Sequence, residues 1–141
     1  MTSPFAVSRG LTLWQPMAWA ISDLDKRIEN RPWKPWSVAK RIAIHAGKTY
    51  NQDHAIQIAR HFKVVVPSVK RIPLGAIVAV ADIVGCVTES DDPWFSGPYG
   101  WQLENVVKLP EPIACGGAQG LWRLTPGVQL QVQEQMRQAL L

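Results

Sequence analysis

The stretch Leu11-Thr-Leu-Trp-Gln-Pro-Met-Ala-Trp-Ala-Ile-Ser-Asp-Leu-Asp-Lys-Arg-Ile-Glu-Asn-Arg-Pro-Trp33 decides the fold, because it compresses a strand, a helix and a charged return strand into 23 residues. Leu11 and Leu13 alternate with Thr12 and Trp14 at strand period. Pro16 supplies a fixed φ that suits a helix start, and residues 18–24 carry an apolar helical face. Asp25 marks the turn. Residues 27–31, read as a strand, place Ile28 on one side and Arg27, Glu29 and Arg31 on the other. Lys26, Glu29 and Arg31 are then expected to crowd one small region beside Trp14 and Trp33.

Two readings of that cluster stand side by side. In one, Glu29 pairs with Lys26 or Arg31 at the surface, which is worth about 0 to 1 kcal/mol. In the other, a lysine, a carboxylate and an arginine flanked by rings form a pocket for a polar planar ligand, such as a nucleobase with its phosphate.

Outward from this stretch, the 141 residues suit one domain at 10–141 behind a loose leader at 1–9. A chain of that size buries roughly two thirds of its unfolded surface and needs no staples. Cys86 and Cys115 are too few for a disulfide framework, the first ten residues lack an apolar signal core, and no apolar run approaches membrane-spanning length. A cytoplasmic protein without a membrane partner is expected. The net charge of +4 hides an asymmetry: residues 1–71 hold twelve Lys or Arg against four Asp or Glu, and residues 72–141 hold three against seven. A basic half suits a polyanion.

The seven tryptophans divide by context. Trp19 and Trp122 sit among apolar residues and are expected to pack inside. Trp33, Trp36 and Trp94 lie beside prolines and polar residues and are expected at a rim, where rings near cations stack bases at about 1 to 3 kcal/mol each. The same mixture also suits a protein interface.

Along the rest of the chain, residues 40–46 read as a strand with Ile42 and Ile44 on one face and Arg41, Ala43 and His45 on the other. His45 is a candidate ligand contact or a hydrogen-bonded structural residue. Asn51 or Asp53 caps a helix to about Phe62, with Ala55, Ile58, Ala59 and Phe62 on its buried face. His54 and His61 share a face of that helix but lie about 10.5 Å apart along its axis, too far for one zinc ion. No metal site is visible, and no cofactor is expected. Residues 74–87 form the longest apolar run and the central strand, which makes Cys86 a small core residue. Residues 93–98 are a loop carrying Trp94 and Phe95, residues 99–109 a strand, and Leu109-Pro-Glu-Pro112 its break. Gly116, Gly117 and Gly120 suggest a turn or bulge, because no Lys-Ser or Lys-Thr follows as a phosphate loop requires. Thr125-Pro126 caps a last helix with Val128, Val132, Met136, Ala139 and Leu140 along one face.

The opening Leu-Thr-Leu-Trp-Gln-Pro-Met-Ala-Trp-Ala, followed by Lys26-x-x-Glu29-x-Arg31-x-Trp33, resembles the signature of the ASCH domain, the activating-signal-cointegrator homology family of the PUA-like superfamily. Three later pieces resemble its small prokaryotic and phage-type members: Ile42-Ala-Ile-His-Ala46, Gly75-Ala-Ile-Val-Ala-Val-Ala81, and Gly97-Pro-Tyr-Gly-Trp101 with Gly117-Ala-Gln-Gly-Leu-Trp122. The pattern of five or six strands with flanking helices points to an α+β fold. The resemblance implies a PUA-like small mixed β-barrel.

It also implies a cleft for RNA or a nucleotide, bordered by Lys26, Glu29 and Arg31, with Trp14 and Gln15 on the neighbouring strand end and Tyr99 and Trp101 opposite. On that reading Lys26 and Arg31 neutralise phosphate, Trp33 or Trp101 stacks a base, and Glu29 accepts from a base edge. Some small ASCH-like proteins resemble amidohydrolases that remove the acyl group of acetylated cytidine with a lysine in a Lys-x-x-x-x-Arg context, and others are proposed ribonucleases. A hydrolase here would use Lys26 as base and Glu29 as its partner. Glu29 stands where the amidohydrolase pattern has a hydroxyl residue, and no motif marks a distal carboxylate. A third reading, a protein-interaction module, draws on Trp94, Phe95 and the acidic residues 89–92.

Overall fold

The structure is a computed structural model that describes residues 3–35 and 41–141. Trp36 and Lys40, expected as a rim ring and a strand start, lie outside the described residues. The order of elements is β1 (Arg9–Gln15), α1 (Met17–Asp23), β2 (Ile28–Arg31), β3 (Arg41–Tyr50), α2 (Gln52–Phe62), β4 (Ala76–Val87), β5 (Tyr99–Ala114), β6 (Leu121–Arg123) and α3 (Pro126–Leu140). This is a mixed α+β fold. Its six strands form one sheet in the order β2-β5-β4-β3-β1-β6, with β1 and β3 parallel and the other pairs antiparallel.

The ladder is open, with β2 and β6 as its edges. It nevertheless bends back on itself, because Arg31 on β2 donates through Nη2 to the Thr12 carbonyl of β1 at 3.0 Å, four strands away along the sheet. The hollow of the bend is filled by Leu11, Ile21, Ile42, Ile44 and Trp101. On the other face, α3 presses Val132 and Met136 against Ala43, Ile77 and Val80. A third cluster joins Ile58 of α2 to Ala20, Ile28 and Trp94. No helix among the described residues is long and apolar enough to cross a membrane.

Local chemistry explains the boundaries. Asn51 caps α2 by accepting from the His54 backbone, and Thr125 caps α3 by accepting from that of Val128, with Pro126 at the first helical position. Arg27 donates to the carbonyls of Ile21 and Lys26, closing the open end of α1 and fixing the turn into β2.

Four expectations are corrected. Residues 5–8 of the expected leader are not loose: Val7 is buried, Phe5 packs against the α3 cluster, and the Ser8 carbonyl accepts from Leu124. Cys86 is exposed, because β4 is covered on both faces only through Ala81 and then runs out past the core with Val84 and Cys86 turned to solvent. Leu109-Pro-Glu-Pro112 does not end its strand. Pairing jumps from Ala79↔Lys108 to Ile77↔Ile113, so residues 109–112 bulge out of the ladder, and the prolines fall where no ladder hydrogen bond is needed. Ala139 and Leu140 are exposed, so α3 packs along Val128, Val132 and Met136 alone.

Candidate functional site

The end of β1 sets one wall. Strand alternation turns Leu13 and Gln15 inward and leaves Trp14 52% exposed. Gln15 is fully buried, its Oε1 accepting from Trp19 N and its Nε2 donating to the Pro73 carbonyl, each at 2.9 Å. It holds α1 onto β1 and is no ligand contact.

The floor comes from the turn after α1 and from β2. Lys26 is 2% and Glu29 8% exposed. Lys26 Nζ donates to the Ile28 carbonyl and, at 3.1 Å, to Glu29 Oε1. Arg31 Nε and Nη2 both reach Glu29 Oε2 at 2.9 Å. The ammonium also lies 6.0 Å from the centroid of the Trp94 ring. A carboxylate shared by two cations in this shielded position is no surface ion pair. Both of its oxygens are already bonded, and the group as a whole carries one excess positive charge.

Opposite stand α2 and the loop at residues 93–96. Helical spacing brings His54, Gln57, Ile58 and His61 onto one face, and that face looks into a hollow of about 560 Å³. Phe62 stacks on Trp94 with centroids 4.2 Å apart and planes at 14°. Asn30 of β2 pins the loop: its Nδ2 donates to the Trp94 carbonyl at 2.9 Å, and its Oδ1 accepts from Ser96 N at 2.8 Å and Gly97 N at 3.0 Å. Trp94 is therefore 8% exposed, a wall rather than the expected rim ring. Phe95 is half-buried with its ring against Gly100, so the two rings offered to a protein partner are turned inward.

Of the nine residues proposed from sequence, Trp14, Lys26, Glu29 and Arg31 meet at this hollow. Gln15, Trp33, His45, Tyr99 and Trp101 do not line it. Trp101 is fully buried, donates from Nε1 to the Trp33 carbonyl at 2.9 Å, and meets the Trp33 ring edge-on at 4.7 Å. Trp101 cannot stack a base, since its ring is enclosed in the core, and Trp33 packs against it away from the hollow. Tyr99 pairs with Arg31 across β5 and β2 and has the Lys34 ammonium 5.9 Å from its ring. His45 is buried in a separate chain of bonds: Trp122 Nε1 donates to Thr12 Oγ1, Thr12 to His45 Nδ1, and His45 Nε2 to the Cys115 carbonyl. It ties β3 to the loop before β6.

Sequence reasoning missed His54, Gln57, His61 and Asn30. The shared helical face of the two histidines is the one signal for them in the sequence, and their separation along the axis fits no metal. Among the described residues, no three His, Cys, Asp or Glu side chains are grouped as metal ligands would be. Elsewhere, burial pushes the Tyr50 phenol up, and its hydroxyl donates to the Pro67 carbonyl at 2.7 Å to anchor the segment after α2. Burial pushes the Cys115 thiol up as well. No protein-family model and no curated protein matches the chain.

Proposed function

We propose that this chain is an ASCH-type, PUA-like nucleic-acid-binding domain that takes a base of RNA into the hollow between β2, α2 and residues 93–96. The observation that carries the reading is the hollow itself: about 560 Å³, with Lys26, Glu29 and Arg31 in its floor and aromatic rings in its walls. That volume suits one nucleotide, and pockets of this class combine apolar walls with a few placed polar groups. The bond from Arg31 to Thr12, which draws the β2 edge toward β1, supports a sheet curled in the PUA-like manner. The stacking ring is Trp14 in place of Trp33 or Trp101. Arg60 and Lys63, exposed at the end of α2, flank His61 and Phe62 of the lining in sequence.

The test is binding of single-stranded RNA at increasing salt. Affinity should fall as salt rises, and Trp14→Ala should weaken binding by about 1 to 3 kcal/mol. No binding at about 50 mM salt, or an affinity indifferent to both salt and Trp14, contradicts the reading.

A hydrolase acting on a modified nucleoside is favoured by one specific feature, a buried lysine bonded to a carboxylate at the hollow. Incubation with acetylated cytidine and with unstructured RNA decides it. Intact substrates throughout remove that reading.

A further inference from the structure

Among the described residues that line the hollow, Glu29 is the sole carboxylate, whereas Lys26 and Arg31 bring two fixed cations. A concave site with that balance favours an anion over a neutral ligand. The two cations differ in what they still offer. Lys26 bonds the Ile28 carbonyl and Glu29, and its side chain is only 3% exposed, so solvent hardly reaches its remaining hydrogen. Arg31 presents a planar fork of N–H donors. Its Nε and Nη2 are held by Glu29 Oε2 and the Thr12 carbonyl, while Nη1 has no partner among the described residues. Nη1 is not sealed in, because the buried side-chain nitrogen or oxygen left unpartnered among those residues is a different atom, Nδ1 of His54. At 21%, the Arg31 side chain is also the most exposed of the three in the floor. Gln57, His61 and Ser96 line the hollow with exposed polar side chains as well, but none carries a fixed charge. They suit hydroxyls and base edges.

Thr12 and Trp14 lie on the same face of β1, two residues and so about 6.8 Å apart. The Arg31 guanidinium is tied to the first, and the second carries the half-exposed indole. One nucleotide spans such a gap between its phosphate and its base. We infer that the hollow takes a base together with its adjoining phosphate, the phosphate on Arg31 Nη1 and the base against Trp14, so that its ligand is a nucleotide and not a free nucleoside. Lys26 holds Glu29, Glu29 holds the guanidinium, and neither touches the phosphate. This rests on the nucleic-acid-binding reading and names the ligand class of the same site. The phosphate belongs either to a free mononucleotide or to one residue of an RNA strand.

The probes are adenosine, cytidine, guanosine and uridine, their 3′- and 5′-monophosphates, and a mixed-sequence RNA oligonucleotide, each titrated into wild type, Arg31→Gln and Arg31→Lys. In wild type, at least one monophosphate should bind about ten- to a hundredfold more tightly than its nucleoside, as a charge-assisted contact allows. That advantage should shrink as salt rises, and reading it in wild type needs no variant to fold. Arg31→Gln should cut the advantage to within about threefold, and Arg31→Lys, which keeps the charge without the fork, should retain part of it. Given that advantage, tighter binding of the oligonucleotide identifies the strand as the source of the phosphate, and tighter binding of a monophosphate identifies the free nucleotide; both fulfil the inference. Equal measured affinities for nucleosides and monophosphates, or oligonucleotide binding unchanged in folded Arg31→Gln, overturns the inference and leaves the pocket reading standing. If wild type binds none of the probes, the pocket reading falls and the inference with it.

Discussion

Replacing Glu29 with Leu removes the carboxylate that Lys26 and Arg31 share, and the outcome follows from how deeply each partner is buried. Lys26, 2% exposed, would keep only the Ile28 carbonyl for a charge that water cannot reach. Breaking a buried pair from one side costs about 3 to 5 kcal/mol, and this substitution belongs at the upper end, near about 5 kcal/mol. Lys26→Met strands Glu29 less severely, because Arg31 still donates to its Oε2, so about 3 kcal/mol is expected. The double variant leaves no unpaired group in the floor except the partly exposed Arg31. Its cost should fall about 2 to 3 kcal/mol short of the sum of the singles. At roughly 4 °C per kcal/mol for a chain of this size, Tm should drop by about 12 °C for Lys26→Met and about 20 °C for Glu29→Leu. Urea unfolding followed by circular dichroism measures all three. Singles within about 1 kcal/mol of wild type would make this a surface ion pair after all, and Lys26→Met costing more than Glu29→Leu would refute the argument from burial.

Three further outcomes are expected. Trp101→Ala should cost about 3 to 5 kcal/mol in the same urea assay, since the ring is fully buried, and a cost below about 1 kcal/mol would return Trp101 to the surface. Gly117→Ala should destabilise by about 1 to 3 kcal/mol, because its Cβ would come 2.5 Å from Thr12 Oγ1 and 2.7 Å from the His45 ring; Gly116→Ala, with nothing within 4 Å, is the control that should be silent. Alkylation mapped by mass spectrometry at neutral pH should modify the exposed Cys86 well before Cys115, whose thiol burial pushes up. Because the folded value of Cys115 lies above the unfolded one, its stabilising contribution is present below the unfolded pKa and lost as pH rises through the folded value. Equal labelling rates would contradict that shift.

The β1, α1 and β2 segment was legible because strand alternation and helical spacing both act over a few residues, and so do the caps at Asn51 and Thr125. Cys86 was not, since an apolar run does not reveal where the covering layers stop. Pro110 and Pro112 misled because a bulge, set by the partner strand, lets proline lie inside a long strand. Period-two patterning places Trp14 and Trp101 on definite sides of their strands, but which side the bend encloses is decided by strands far apart in sequence. Hence Trp14 lies half-exposed at the hollow, while Trp101, expected opposite it in the cleft, is enclosed in the core. Half of the candidate site comes from α2 and residues 93–96, joined by the stacking of Phe62 on Trp94 and by the Asn30 amide. No local pattern announces such a meeting. The charged floor was legible because its members lie within six residues of one another, from Lys26 to Arg31.

The most direct measurement is an NMR titration of the isotope-labelled protein with a short single-stranded RNA, following backbone amides, indole N–H groups and histidine rings together. Occupation of the hollow predicts that the largest shifts fall on the Trp14 indole, the His54 ring and the amides of Arg31 and Phe95, with the Trp101 indole little changed. Shifts confined to the exposed cations of residues 63–71, with Trp14 and His54 unmoved, would mean that RNA meets only surface charge and would contradict the account.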